Sequence, residues 1–157
     1  MSESQKKQAW ITSLRLLTAT PKSRKDLAKK LSEKGYDNEV IRQTLEELEA
    51  KGILNDRAYA ENLVSRHLYG RPSGVRKISF ELKRRGISSK LQEELLTPLS
   101  GEQETQRAWD AATQRWERFK RIPIENRKRR VYDFLLRRGF EFQLVRDIIE
   151  TLEKESP

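Results

Sequence analysis

Apolar residues recur along the chain at the three- and four-residue spacing of amphipathic helices, and short breaks separate the runs. One of the clearest runs is Trp109, Ala112, Trp116 and Phe119, at spacings of three, four and three residues. A glycine or proline stands at each break: Pro21, Gly35, Gly52, residues 70–74, Gly86, Pro98, Pro123 and Gly139. The pattern therefore predicts an all-α fold of nine helices.

Residues with helix-capping chemistry precede several of these runs, because a short polar side chain can accept a hydrogen bond from the first free backbone N–H groups. The predicted N-caps are Ser23, Asp37, Asn55 or Asp56, Ser88 and Ser100. Ser23 with Asp26, and Ser100 with Gln103, have the spacing of a capping box. We expect most of the helices to end at glycines, which readily adopt the left-handed backbone of a helix end.

The same pattern occurs three times when the chain is aligned on Gly35, Gly86 and Gly139, which are 51 and 53 residues apart. Five apolar positions match in each copy. Before the glycine they are Leu27, Ile78 and Val131 at eight residues and Leu31, Leu82 and Leu135 at four; after it they are Tyr36, Ile87 and Phe140 at one residue, Val40, Leu91 and Leu144 at five, and Leu45, Leu96 and Ile149 at ten. The alignment predicts tandem three-helix repeats at about 8–54, 55–99 and 100–154 of a single chain, 1–157. Because repeats of this size bury further surface by stacking, we expect an elongated, curved array.

The charge of the chain indicates a negatively charged binding partner. The net charge is +9, and 36% of the residues are charged. Residues 65–90 contain eight cationic side chains against one acidic side chain, and residues 115–138 contain ten against three. Each stretch therefore has a net charge of +7, whereas the first repeat is more balanced. Clustered Arg and Lys side chains favour phosphate groups or acidic protein surfaces.

The candidate residues for binding a polyanion or an acidic partner lie in these two stretches: Arg71, Arg76, Lys77, Lys83, Arg84, Arg85, Arg127, Lys128, Arg129 and Arg130. Cations near a helix C-terminus also stabilise the helix dipole, which accounts for Lys83 to Arg85 and for Arg137 and Arg138. That explanation suits Arg71, Arg76 and Arg127 to Arg130 poorly, because they are predicted in loops or at helix starts.

The sequence contains little that could support catalysis. His67 is the one histidine and there is no cysteine, so neither a histidine-based metal site nor a thiol nucleophile can be assembled. We expect His67 on a helix surface or half-buried, and we predict a protein that is not an enzyme and needs no cofactor or metal. The first residues lack an apolar run long enough for a signal peptide or membrane span, so the cytoplasm is the expected location.

Residues 20–54 are similar to the helical part of a winged helix-turn-helix DNA-binding domain. Such domains continue into a β-hairpin, but Asn55 and Asp56 begin another helical pattern here, and no alternating strand pattern follows. The three-fold repeat also has no place in that interpretation.

Residues 52–89 resemble the RecX regulatory proteins of bacteria. The matching elements are Gly52 to Asp56, Tyr59-Ala60, Arg66, Gly74, Ile78, Glu81-Leu82 and Arg85 to Ile87. Weaker similarity covers residues 27–31 and 128–140. The resemblance implies tandem three-helix repeats that bind in the groove of the RecA filament on DNA.

The resemblance further implies inhibition of RecA ATP hydrolysis, strand exchange and coprotease activity, and thus a role in homologous recombination, DNA repair and the SOS response. DNA itself, single- or double-stranded, is an expected weak and salt-dependent partner, and no membrane partner is expected. Two other classes stay open: a stand-alone helix-turn-helix-like DNA-binding regulator, and a homo-oligomeric scaffold that uses Trp109 and Trp116, which we otherwise expect in the core.

Overall fold

A computed structural model describes residues 2–156, which form nine α-helices and no strand. The helices are α1 (Ser2–Ala19), α2 (Arg24–Glu33), α3 (Asn38–Ala50), α4 (Asp56–Tyr69), α5 (Val75–Arg84), α6 (Ser89–Leu96), α7 (Glu102–Arg118), α8 (Ile124–Arg137) and α9 (Phe142–Glu155). A single 3-10 turn, Thr97–Leu99, follows α6 at Pro98. The prediction of an all-α fold is confirmed.

The chain divides into two compact units. The first unit extends up to Asn62 and includes Leu82–Ser88, and the second consists of Leu63–Glu81 and the chain from Ser89 onward. Helices α4 and α5 therefore contribute residues to both units. The expected elongated and curved shape stays a prediction.

In the first unit, helices α1, α2 and α3 pack around a core of leucine and isoleucine side chains. Leu27, Leu31 and Leu48 are completely buried there. The apolar spacing of Trp10, Leu14 and Leu17 predicts that these residues form the buried face of α1, but the fully buried positions are Ala9 and Ser13, and the three larger side chains are only partly buried. Small side chains allow close approach to a neighbouring helix, which an apolar pattern alone does not indicate.

In the second unit, helices α7, α8 and α9 pack on one another around Trp116, Val131, Leu135 and Phe140. The indole nitrogen of Trp116 donates to the hydroxyl of Ser156 at 2.9 Å, so the one polar group of this buried ring has a partner. Trp109 is partly buried against the same core. Both tryptophans therefore contribute to intramolecular packing.

Most apolar positions predicted from the repeat are buried, but Tyr36, Leu91 and Leu144 are only partly buried. The six residues eight and four positions before the three glycines are 0% exposed: Leu27, Leu31, Ile78, Leu82, Val131 and Leu135. Leu45, Leu96 and Ile149, ten positions after the glycines, are also buried. The predicted limits of the individual repeats stay a prediction.

Two of the predicted N-caps, Ser23 and Asn55, form the expected side-chain bond, whereas Asp37 stands at the start of α3 but its side chain makes no capping bond. The hydroxyl of Ser23 accepts from the backbone N–H of Asp26 at 3.2 Å, and Asn55 Oδ1 accepts from that of Ala58 at 3.1 Å. The expected cap at Ser100 is wrong by one residue, because Gly101 precedes α7 with a φ of 67° and no side-chain bond. A glycine can adopt that backbone at little cost. Helix α7 therefore starts after a residue with a special backbone conformation and without a side-chain capping bond.

Two of the repeat glycines are needed for space as well as for backbone conformation. Gly86 and Gly139 have φ values of 79° and 85°. A Cβ on Gly86 would lie 2.7 Å from Lys25 Cβ, and a Cβ on Gly139 would lie 2.4 Å from Lys77 Cβ and 2.7 Å from its backbone nitrogen. The turn after α5 thus contacts the start of α2, and the turn after α8 contacts the start of α5.

Candidate anion-binding site

The loop of residues 70–74 lies directly on the turn that ends α8. The backbone N–H of Gly74 donates to the carbonyl of Arg138 at 2.8 Å. A Cβ at Gly74 would lie only 2.2 Å from the carbonyl oxygen of Gly139. Glycine at this position therefore allows the two backbones to touch, and it fixes the point at which α5 begins.

Arg138 holds the same loop through its guanidinium group. Its Nε donates to the carbonyl of Pro72 at 2.7 Å, and its Nη2 donates to the carbonyl of Arg71 at 2.8 Å and to the hydroxyl of Ser73 at 2.9 Å. All three acceptors are neutral, so no hydrogen bond joins the guanidinium to a carboxylate, and the charge of Glu81 offsets only part of the repulsion from neighbouring cations. Burial lowers the pKa of Arg138, and repulsion from Arg71 and Arg115 lowers it further.

His67 supports the loop from the other side. Its Nδ1 lies 3.0 Å from the hydroxyl of Ser73, which is completely buried, and its Nε2 lies 2.9 Å from a carboxylate oxygen of Glu81. The imidazole is half-buried, as predicted, and it joins α4, the loop and α5. The histidine therefore has a positioning role within this network.

Helices α5, α7 and α8 and the loop line a half-open pocket of about 740 Å³. Six of its lining residues are cationic and none is acidic; the cations are Arg71, Lys77, Arg115, Arg118, Arg137 and Arg138. The wall also includes the ring of Phe134, and the guanidinium carbon of Arg115 lies 4.0 Å from the centre of that ring. This volume is within the usual range of small-molecule sites. We name this cavity the basic pocket.

The charges of the basic pocket have few partners within the protein. Among residues 2–156, no carboxylate forms an ion pair or hydrogen bond with the side chain of Arg71, Lys77, Arg118 or Arg137. Arg115 contacts an aromatic face, and Arg138 donates to neutral oxygens. Like charges this close repel one another, so the pocket is a region of positive potential that an anion would stabilise.

The candidates predicted between residues 71 and 85 fall into three groups. Arg71 and Lys77 line the basic pocket, while Arg76, Lys83 and Arg84 are exposed on α5 or its last turn. Arg85 instead donates to a carboxylate oxygen of Asp26 at 3.2 Å, within the first unit. Its charge is thus offset by a neighbour on α2.

The candidates between residues 127 and 130 mostly have structural contacts. Arg127 donates to the carbonyl of Trp116 at 2.9 Å and lies 4.0 Å above its ring. Lys128 pairs with Glu153 at 2.5 Å, and the hydrogen bond to that carboxylate raises the pKa of Lys128. Arg130 lies 5.5 Å from the ring centre of Phe119, and Arg129 is exposed without such a contact.

Four pocket residues were absent from the predicted binding set: Arg115, Arg118, Arg137 and Arg138. The sequence explains Arg137 and Arg138 by the helix dipole, and it indicates no role for Arg115 and Arg118 beyond their place in the basic stretch of residues 115–138. One signal was present, because Arg115 and Arg118 are three residues apart and therefore neighbours on one face of α7.

An exposed aromatic residue lies outside the pocket on the same unit. Phe80 is 65% exposed on α5, and Arg76 is one helical turn before it on the same face. Phe142 and Arg146 have the same four-residue spacing on α9, but there the guanidinium lies 5.7 Å from the ring centre. The Arg76–Phe80 pair is therefore the more accessible of two similar pairs.

Other kinds of site find no support in the part of the chain that is described. Within residues 2–156, no group of three or more His, Cys, Asp or Glu side chains is arranged to hold a metal ion. No helix of that part is long and apolar enough to cross a membrane.

Comparison with known proteins relates all three repeats to one family. Residues 9–48, 55–96 and 102–149 match the models of the first, second and third three-helix domains of RecX, respectively. A Regulatory protein RecX of Chlorobium phaeobacteroides (strain BS1) is 30% identical over 152 residues, which cover 97% of this chain and 98% of the relative. The chain belongs to the RecX family.

Further relatives agree with this assignment. A Regulatory protein RecX of Mycobacterium sp. (strain KMS) is 33% identical over 150 residues, covering 90% of this chain and 80% of the relative. The crystal structure of RecX from Lactobacillus salivarius has a TM-score of 0.80 with 20% identity, over 97% of this chain and 99% of that one. The tandem three-helix fold and the family resemblance predicted from the sequence are both confirmed.

Proposed function

We propose that this chain binds the RecA filament on DNA and inhibits its ATPase, strand-exchange and coprotease activities. Membership of a family of regulatory proteins supports a regulatory role, and the RecX resemblance implies RecA as the target. The predicted contact residues are Arg71, Arg76, Lys77, Lys83, Arg84, Arg85, Arg127, Lys128, Arg129 and Arg130.

The observation that carries this proposal is the exposed Arg76–Phe80 pair on α5. Arginine and aromatic side chains dominate the binding energy of many protein interfaces, and aromatic rings also stack on nucleic-acid bases. A nucleoprotein filament offers acidic side chains, phosphates and bases to such a pair. Arg85, Arg127 and Lys128 contribute less in this proposal, because each already has a partner within the chain.

The test is RecA ATPase on single-stranded DNA during titration with this protein. We expect half-inhibition well below one protein per RecA subunit. The variant Arg76→Gln/Phe80→Ala should need at least ~10 times more protein, since loss of a single interface hot spot costs roughly 2 kcal/mol. The matched control is Arg146→Gln/Phe142→Ala, which removes the pair at the same spacing on α9 and should inhibit like the unchanged protein.

Two outcomes would contradict different parts of the proposal. A RecA ATPase rate that does not change with the unmodified protein would refute the RecA function, and stable binding to bare DNA would then favour a DNA-binding regulator. Equal inhibition by the α5 variant and the α9 control would leave RecA as the target but remove Arg76 and Phe80 from the contact surface.

A further inference from the structure

We propose that the basic pocket is a binding site for a compact polyphosphate, a small anion with two or more linked phosphoryl groups such as the triphosphate of a nucleotide. This site does not depend on the proposed action on RecA. It rests on the size of the cavity, on its charge and on the geometry of Arg138.

The first step of the argument is charge. Six cations line one cavity of about 740 Å³ without an acidic residue among them. An anion with several closely spaced charges offsets more of this repulsion than a single sulfate or carboxylate can. Since the six cations converge on one half-open pocket of limited volume, a compact anion can contact several of them at once, whereas an extended strand has only one charge per ~3.4 Å of rise.

The second step is the geometry of Arg138. Its Nε and Nη2 donate to the loop, which holds the plane of the guanidinium in place. Nη1 makes no hydrogen bond to the protein in residues 2–156, so its two N–H groups remain for a ligand in the pocket. A guanidinium that is already oriented loses little conformational freedom when it binds a phosphate oxygen.

The third step is the support of the loop itself. Gly74 contacts the Gly139 backbone, and the buried Ser73 hydroxyl is held by Arg138 and His67. Arg71 and Pro72 therefore line the pocket from a loop whose position is fixed by these contacts. Lys77 lies less than one turn inside α5, which begins at Val75, directly after this loop.

The experiment is calorimetric titration of the full-length protein with inorganic tripolyphosphate at ~0.1 M salt, where the Debye length is about 10 Å. We expect one saturable site. The variant Arg118→Gln/Arg137→Gln removes two exposed pocket cations and should weaken binding at least ~10-fold, since a hydrogen bond to a charged group commonly contributes that much. Both side chains are exposed and unpaired, so circular dichroism should show an unchanged helical fold.

The matched control is Arg121→Gln/Lys154→Gln, which removes two exposed charges of the second unit outside the pocket. It should change the affinity less than ~2-fold, because distant surface charges are screened by salt. Equal loss in both variants, or no saturable binding by the unmodified protein, would overturn the proposal.

Two further ligands identify the anion. A nucleoside triphosphate should bind at least as tightly as tripolyphosphate, and its binding should depend on Arg118 and Arg137 in the same way. A thymidine tetranucleotide, whose phosphates are spread along a strand, should bind more weakly. If the tetranucleotide binds more tightly and shows the same dependence, the pocket holds a nucleic-acid strand and the polyphosphate proposal is wrong.

Discussion

The turns at Gly86 and Gly139 are built alike, yet the arginine before each has a different kind of partner. Arg85 pairs with the carboxylate of Asp26, whereas Arg138 donates three hydrogen bonds to neutral oxygens of a loop. The repeat thus places an arginine at the same point of each turn. The residues of the segment packed against that turn determine whether a carboxylate neutralises its charge. In the first unit, Arg85 therefore forms an ion pair. In the second unit, Arg138 has no carboxylate partner of that kind and lines the basic pocket.

The largest expected difference between the turns comes from adding a methyl group to each glycine. Gly139→Ala should destabilise the protein by ~2–5 kcal/mol, combining ~1–2 for the left-handed backbone and ~1–3 for a clash with backbone atoms of Lys77. Gly86→Ala should cost less, because its closest contacts are side-chain atoms of Lys25 at 2.7 Å or more, whereas the added Cβ at Gly139 comes within 2.4 Å of Lys77 Cβ and also meets backbone atoms. Urea unfolding monitored by circular dichroism gives both values.

Gly35 provides the control for that measurement. It has the same positive φ, but an added Cβ would find nothing within 4 Å. Gly35→Ala should therefore cost only the ~1–2 kcal/mol of the backbone conformation. A cost at Gly139 no larger than that at Gly35 would show that the contact with Lys77 does not constrain the turn.

The next difference is expected when each arginine is replaced by methionine. Arg138→Met should cost ~2–3 kcal/mol, because it removes three hydrogen bonds from a charged donor and leaves the half-buried carbonyl of Pro72 without that donor. Arg85→Met should cost below ~1 kcal/mol, because the Arg85–Asp26 pair is partly exposed and screened by water. The same urea experiment measures both.

The salt dependence of the two destabilisations, by Arg85→Met and by Arg138→Met, should also differ. At ~1 M NaCl the effect of Arg85→Met should disappear, since the Debye length is then about 3 Å. The effect of Arg138→Met should largely persist, because its acceptors are neutral. An Arg138 effect that disappears with salt would mean that its bonds to the loop contribute little.

The smallest expected difference concerns two carboxyl groups. Glu141, two residues after Gly139, caps α9, and the backbone N–H groups of Gln143 and Leu144 hold its pKa below the ordinary 4.5. Its stabilisation is present above pH 4.5 and is lost as the pH falls through the lowered pKa. Glu141→Gln should therefore lower the melting temperature at pH 7, and the difference should shrink in acid.

The pKa of Asp56, in the first unit, is shifted in the opposite direction from that of Glu141. Burial raises its pKa above 3.8, although the backbone N–H of Arg24 donates to it at 2.8 Å and opposes the shift. The ionised group costs stability at neutral pH, and this cost disappears as the pH falls through the raised pKa. Asp56→Asn should raise the melting temperature at pH 7 and have little effect near pH 3. Parallel pH profiles for the two variants would contradict this contrast.

The helices and the repeat could be predicted because helical periodicity alone determines which side chains face inward. Leu27, Ile78 and Val131 are buried as their spacing requires. The basic pocket could not be predicted in the same way, because its cations come from the loop and three helices. A count of charges along the chain does not show which of them meet.

The roles of individual cations were also hidden in the sequence. Arg127 and Arg129 are two residues apart in one basic run, yet Arg127 stacks on Trp116 and Arg129 is exposed. The guanidinium of Arg138 was interpretable as a partner of the helix dipole, and its bonds to residues 71–73 depend on a contact between segments 65 residues or more apart. Such contacts are tertiary and leave no local pattern.

The docking of residues 70–74 on the end of α8 has a consequence for anyone who would express parts of this protein separately. A fragment that starts at residue 102, where the match to the third domain begins, would lack the oxygens that Arg138 binds and the glycine that covers Gly139. The segment Leu63–Glu81 belongs to the same compact unit. A recombinant fragment meant to retain that unit should therefore begin no later than Leu63.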